Sequence, residues 1–534
     1  MARVRDFVGL LVRFAAAMPI APTEKEMLSH RRYKRSSGDS RSVRPPARSE
    51  SSHLNAPLVM RISSTETEIP GHGRLKRSSS SKDARADADA DASHHEAARA
   101  MPISSTEIEV SGQGRLKRPS SSESGSASYP TWVILNRVGV RRDSFDGDGT
   151  TSAVSYTSGG EQISVSFVLE KPPRTSLITL DWPQGPSPSE GSTSKPRVVA
   201  AHRNVVLLEI SRANYLRPAS IDFFVYKASG SGGPSLTRLP VCYWKGPWNA
   251  DSPRPRIMGK YSTGLLSCSD DFFVVADLAR GSPQPSLVDI YLMCSGSNDW
   301  KVFRDVPIHN ADSVPHLSWW STDVVLPWRH HYLIWVDYFR GMIFARITHP
   351  GNGIDLQEPV LRYVPLPVDP VQGNTYDNDY GRGCPAASRS ICNTHHGIKF
   401  VSINQRGSSF SISLWSLCQE KWREDATLDA DQLWDLDFEN RLTKVQPAFP
   451  VVDMENPDAV CFLLNEGRYT VIPDTPTWMI KIHMTKKILL DSHYYSKGSP
   501  SYQKTYTTAR RMSEGLTFIS SGMPSYLSGQ TMER

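Results

Sequence analysis

The chain of 534 residues has no cysteine and no tryptophan before Trp132. A stretch without either lacks two of the residue types that anchor a disulfide or a core, and residues 1–128 are dominated by Ser, Thr, Glu, Arg and Lys. They are expected to form a disordered, basic, serine-rich tail. Charge imbalance is missing from everything that follows. The tail carries 21 Lys+Arg against 15 Asp+Glu, which accounts for the whole formal excess of +6 and leaves 40 of each sign beyond it. A neutral body offers no bulk attraction to nucleic acid, so contact with nucleic acid or another acidic partner is expected only through the tail, whose basic clusters are also weak nuclear import signals.

Other absences narrow the class further. There is no CxxC pair among Cys242, Cys268, Cys294, Cys384, Cys392, Cys418 and Cys461, and their number is odd, so a disulfide framework is excluded in favour of reduced thiols. That places the chain inside the cell, in nucleus or cytoplasm rather than an organelle. The N-terminal apolar stretch is interrupted by Arg13, against a secretory signal, while Asp6, Glu24 and Glu26 break the acid-poor pattern of a transit peptide. No apolar run approaches the length of a membrane helix, so no membrane span is expected. Phosphate loops of the GxxxxGK[ST] type, a GxGxxG after a strand, a GxSxG elbow and HExxH are all missing. No cofactor and no catalytic residue is therefore expected.

What the tail does contain is repetition. "MPIAPTEKEMLSHRRYKRSS" from Met18, "MRISSTETEIPGHGRLKRSS" from Met60 and "MPISSTEIEVSGQGRLKRPS" from Met101 align as three degenerate copies. The spacing suits a solenoid, but the copies have too few apolar residues to stack, and they read as a tandem duplication in unfolded chain. Each copy sets a lysine three residues before a serine, giving Ser37, Ser79 and Ser120 as candidate phosphoacceptors for a basophilic kinase. The plainer reading is a duplication scar in a polar tract.

From Tyr129 the texture changes to short runs of Val, Ile, Phe, Tyr and Trp between Gly, Pro, Ser and Asp, such as "QISVSFVLE", "VVLLEI", "DFFVVADL" and "AVCFLL". Runs of this length and composition are strands. The body, about 129–500, is expected to be all-β, with 501–534 a flexible C-terminal tail. The strongest helix signal is "ATLDADQLWDLDFENRL" from Ala426, with a loop holding one turn as the other reading. A strand, a variable loop, a second strand and then a Trp recur in "FFVVADLARGSPQPSLVDIYLMCSGSNDW" and "IKFVSINQRGSSFSISLWSLCQEKW", less well in "IDFFVYKASGSGGPSLTRLPVCYW". A hairpin closed by Trp suits an irregular, kelch-like β-propeller of about seven blades near 50 residues each, with paired β-sandwiches as the other architecture.

The segments "HYLIWVDYFRGMIFARI", "EPVLRYVPLPVD", "CNTHHGIKFVSI" and "YPTWVILNRVGV" resemble the plant, chiefly grass, family known as domain of unknown function 1618. Trp335, Asp337, Arg340 and Gly341 occupy its W-V-D-x-x-R-G pattern, and Arg362, Tyr363, Pro365 and Pro367 its L-R-Y-V-P-L-P pattern, with the named domain over about 330–470. The resemblance extends to F-box-associated and kelch-like β domains, although no F-box precedes the body. It implies no activity or ligand.

Three groups of residues invite a chemical reading. Cys384, Cys392, His395 and His396 form the one cluster with metal-like spacing, although zinc sites pair their ligands more closely, so no metal is expected. Asp377 and Asp379, between Tyr376 and Tyr380, suit a turn before a calcium or sugar site. Asp337 and Arg340 suit an ion pair that stabilises a hairpin before a ligand groove. The expected function is a noncatalytic β-rich module that binds a protein partner, with a regulatory or targeting tail. A propeller enzyme or small-molecule binder using loop carboxylates, and a nuclear nucleic-acid-associated protein, are the alternatives.

Overall fold

A strand whose two faces are both apolar needs a partner layer on each side, and that requirement organises the body. A computed structural model describes residues 129–527 apart from the loops 146–148, 187–193, 212–220, 229–232, 245–253, 312–313, 349–355, 371–383, 467–475 and 495–516. These residues belong to the unit Lys117–Arg534; the unit Met1–Leu116 lies outside them, as do Ser37, Ser79 and Ser120. The fold is all-β.

The chain opens with β1 (Val133–Asn136), β2 (Val140–Arg142), β3 (Ala153–Tyr156), β4 (Gln162–Val168) and β5 (Thr175–Asp181). Five antiparallel four-strand meanders follow. They are β6 (Arg197–His202), β7 (Val205–Ser211), β8 (Ile221–Lys227) and β9 (Ser235–Arg238); β10 (Thr263–Ser267), β11 (Phe273–Ala279), β12 (Leu287–Cys294) and β13 (Lys301–His309); β14 (Val324–Trp328), β15 (Tyr332–Asp337), β16 (Gly341–Arg346) and β17 (Val360–Pro365). The last two are β18 (Arg389–Thr394), β19 (Gly397–Arg406), β20 (Ser409–Cys418) and β21 (Lys421–Asp429), then β22 (Ala448–Val452), β23 (Ala459–Leu464), β24 (Trp478–His483) and β25 (Ile488–Tyr494). A final strand, β26 (Phe518–Ser521), returns to pair antiparallel with β1, giving a first sheet in the order β26-β1-β5-β4-β3 with β2 on β5. A short parallel pairing of β13 with β17 makes the third and fourth sheets continuous.

Period-two alternation sends the side chains of each sheet into two different cores. In β7, Val206, Leu208 and Ile210 pack toward the first sheet, whereas Val205 and Leu207 pack toward the third. In β15, Leu333 and Trp335 join the third sheet while Ile334 and Val336 join the fifth. In β23, Val460, Phe462 and Leu464 face the fifth sheet, and Cys461 and Leu463 face the first. Six cores thus lie between six sheets, each sheet sharing one core with the sheet before it and one with the sheet after. The first strands follow the same circuit: β6 touches β10, then β14, β18, β22 and β26 in turn, and β26 touches β6.

Polar links span neighbouring sheets. The indole Nε1 of Trp300 donates to the carbonyl of Pro240 at 2.9 Å, and that of Trp422 donates to the carbonyl of Pro365 at 2.9 Å. These two Trp residues end the two clearest copies of the sequence recurrence, and each reaches the chain just after, or at the end of, the last strand of the preceding sheet.

Two expectations are corrected. The helix signal from Ala426 resolves into the end of β21 and a five-residue helix, α1 (Ala430–Trp434), because "ATLD" pairs with β20 before the Asp429–Gln432 capping box starts the turn. Part of the segment expected as a C-terminal tail, Phe518–Tyr526, is strand followed by a helical turn with Met523 fully buried. Its partner β1 lies nearly the whole body away in sequence, so no local pattern marks it. Because β26 supplies a link of the circuit, a chain ended at residue 516 should melt at least ~10 °C lower than the full chain and less cooperatively, a comparison made by calorimetry.

Candidate functional site

The residues singled out by the family-like pattern form a buried turn. Asp337 ends β15, and its carboxylate accepts the amides of Ser321 at 2.8 Å and Phe339 at 2.9 Å and the Arg340 guanidinium at 3.1 Å. Asp337 and Arg340 are 0% and 2% exposed. The Tyr363 hydroxyl donates to the Arg340 carbonyl at 2.8 Å, and burial followed by the Asp337 charge pushes its pKa up to about 12, so it stays a donor. Gly341 is required by close approach: a Cβ there would meet the Tyr363 ring at 2.6 Å. Trp335 donates to the carbonyl of Ser262 in the preceding sheet at 2.6 Å, Arg362 pairs with Glu420 in the next, and Pro365 accepts Trp422. Pro367 lines a shallow depression with Arg389. These side chains join strands and sheets, and Asp337 and Arg340 line neither that depression nor the cavity described next.

The cavity lies elsewhere, among the first strands. It has a volume of about 230 Å³ and is lined by parts of β6, β14, β18, β22 and β26 with the loops beside them. Phe449, Met454 and Ile519 supply apolar wall, and Arg137, His202, Arg203, Asp323, Tyr338 and Arg389 supply polarity. Arg137 donates to the carbonyl of Val199, and Arg203 holds Asp270 at 3.1 Å. Asp323 accepts the Tyr338 amide at 2.8 Å, and burial foremost, then the Asp323 charge, raises the Tyr338 phenol, which accepts the Ile391 amide. His202 is ringed by protein, its remaining surface facing the cavity. Burial, reinforced by Arg203 and His330, lowers its pKa to about 3, and Nδ1 accepts the Ser267 amide at 2.9 Å, which leaves the proton on Nε2. Arg389 donates to the carbonyl of Tyr338 and lies 5.7 Å from the Phe339 ring centre; burial lowers its pKa, opposed by the charges of Asp323 and Asp337.

The cysteine and histidine cluster is divided by this arrangement. Cys384 and Cys392 line the cavity, with burial raising the Cys392 thiol to about 11, while His395 and His396 sit exposed on the β18–β19 turn. Among the described residues no three His, Cys, Asp or Glu side chains are placed to hold a metal. Asp377 and Asp379 lie outside the described residues. Apart from Cys384 and Cys392, the cavity residues carry no mark in the sequence, because they come from segments scattered between Arg137 and Gly522 with no linear spacing.

A second feature is a ribbon beyond β9. Tyr243 bridges Pro255, and the register sets Val241 opposite Ile257. Inward, Cys242 is buried and Arg256 pairs with buried Asp277 and stacks 4.0 Å from the Tyr291 ring centre. Outward, Val241, Tyr243 and Ile257 are 38%, 39% and 53% exposed.

Residues 335–461 match the model of a family described as protein of unknown function (DUF1618). Among curated proteins none matches the chain. Solved structures with some likeness include Sqt1 from Chaetomium thermophilum, at 7% identity over 50% of this chain and 53% of that one with a TM-score of 0.23. The α-L-arabinofuranosidase Arb93A from Fusarium graminearum is similar at 11% identity over 64% and 94%, TM-score 0.23. The BP39L lectin from Burkholderia pseudomallei is similar at 9% identity over 69% and 100%, TM-score 0.25. At these TM-scores the likeness carries no weight for fold or function.

Two measurements check the site chemistry. Asp337→Ala strands the buried Arg340 guanidinium and should cost about 3–5 kcal/mol in urea unfolding. His202 is neutral in the fold and titrates near 6.5 when unfolded, so its contribution is complete above that pH and is lost as pH falls from there toward about 3, by up to ~1.4 kcal/mol per pH unit. His202→Gln should therefore flatten the acid side of the stability profile between pH 6.5 and 4.5 relative to the parent chain.

Proposed function

We propose that the body is a six-bladed β-propeller that works as a noncatalytic module for binding another protein. The circuit of six cores supports the blades, since paired sandwiches would leave each sheet one solvated face, which does not fit β7, β15 or β23. Six blades of ~66 residues take the place of seven near 50, the added length lying in loops. Buried carboxylates support the noncatalytic reading: Asp181, Asp222, Asp277, Asp289, Asp337 and Asp453 each hold a cation, Arg142, Arg238, Arg256, Arg304, Arg340 and Lys481 respectively. A carboxylate committed in this way is a poor general acid or base.

The observation that carries protein binding is the outward face of the ribbon, where Val241, Tyr243 and Ile257 stay exposed on a backbone anchored from beneath by Arg256. An apolar face held rigid in water favours a partner. Replacing all three with Ser should abolish cross-linking to partner proteins in cells while leaving the melting temperature within ~3 °C, since the groups removed are already solvent-facing. Asp377→Ala with Asp379→Ala should leave the same cross-links in place. Partners retained by the triple variant would sink the ribbon assignment, and a measured catalytic activity lost in the Asp377/Asp379 variant with circular dichroism unchanged would favour an enzyme.

A further inference from the structure

The cavity among the first strands has a charge pattern that protein binding at the ribbon does not use. Three guanidinium groups, Arg137, Arg203 and Arg389, line it against one carboxylate, Asp323. His202 adds no charge, being held neutral, but offers an N–H donor at Nε2. Arg203 is neutralised by Asp270 and Asp323 is engaged by the Tyr338 amide. Arg389 differs. Its contacts are one backbone carbonyl and an aromatic ring, and among the described residues no carboxylate lies within ion-pair distance of it. Asp323 and Asp337 favour its charge only from farther off. The Arg389 side chain is half-buried, its guanidinium retains donors in a planar fork suited to two oxygens, and partial loss of solvent without a counter-ion is costly.

The walls limit what the counter-ion can be. Phe449, Met454 and Ile519 give the cavity an apolar side. The volume of about 230 Å³ is ample for a small organic molecule. One uncompensated positive charge beside an apolar wall selects a small monoanion with an apolar body. We propose that the cavity is a binding site for a small organic carboxylate, its oxygens held by the Arg389 guanidinium and its apolar part against Phe449, Met454 and Ile519. This assignment does not rest on the protein-binding reading, because the ribbon lines no part of the cavity.

The test uses the full chain and 3-phenylpropionate as the probe, with 3-phenylpropionamide as its neutral counterpart and phenyl phosphate as a dianion, each titrated by calorimetry. The carboxylate should bind, and the amide should bind at least ~10-fold more weakly, the loss expected when a charge-assisted pair is removed. Arg389→Gln should weaken the carboxylate at least ~10-fold without changing amide binding, and Arg389→Lys should recover part of the loss. Arg362→Gln, which removes a guanidinium paired with Glu420 away from the cavity, should leave affinity unchanged. Circular dichroism and melting establish that each variant is folded. No carboxylate binding up to 10 mM, equal binding of acid and amide, equal losses in the Arg389 and Arg362 variants, or tighter binding of phenyl phosphate each overturns the proposal.

Discussion

Burial of both faces of the same strand is the constraint on which the body depends. A four-stranded meander with one apolar face can rest on a single partner and stop there. In this chain successive residues of β7, β15 and β23 enter different cores, so each sheet needs a neighbour on both sides. A finite row of such sheets would leave two apolar faces in water. Closing the row removes both, and the first sheet is where that happens: Trp132 and Ile134 pack with the sixth sheet while Val133 and Leu135 pack with the second.

Closure makes the ends of the body interdependent. β1 has β26 on one side and β5 on the other, so residues near 134 and near 520 belong to one sheet. Next to this demand, the family-like residues have a local and mechanical part. Asp337, Arg340, Gly341 and Tyr363 lock one hairpin turn, and Trp335, Arg362 and Pro365 connect that sheet to its neighbours. Residues that hold a hairpin in register form a pattern along the chain because the turn they make is short.

The exposed surfaces follow from the same geometry. Strands whose flanks are consumed by packing have only their ends, their outer edges and the space between first strands left to present. The ribbon after β9 lies beyond the last strand of its sheet, and its apolar side is turned to solvent because Arg256 and Cys242 occupy the inner side. The cavity uses the space between first strands. There three arginines, Arg137, Arg203 and Arg389, against the carboxylate of Asp323, set the electrostatic character of the opening.

The strands themselves were legible in the sequence, since runs such as "VVLLEI" and "AVCFLL" are too short for helices and too apolar for loops, and local sterics and burial decide that much. The closing tryptophans were legible as a recurrence, and the segment matching the family model, 335–461, lies within the span expected from its motifs. The sequence also determined the charge division between tail and body. What it did not determine was pairing at a distance. "FISS" carries no more strand signal than many loops and becomes β26 only because β1 waits for a partner. "ATLD" reads as the start of a helix and is held as strand by β20. The count of sheets depended on loop lengths that no periodicity fixes. The cavity is the extreme case: His202, Arg389 and their neighbours come from separate strands, and only closure of the row of sheets brings them to one cavity, because proximity between distant residues is a property of tertiary packing and leaves no spacing to read.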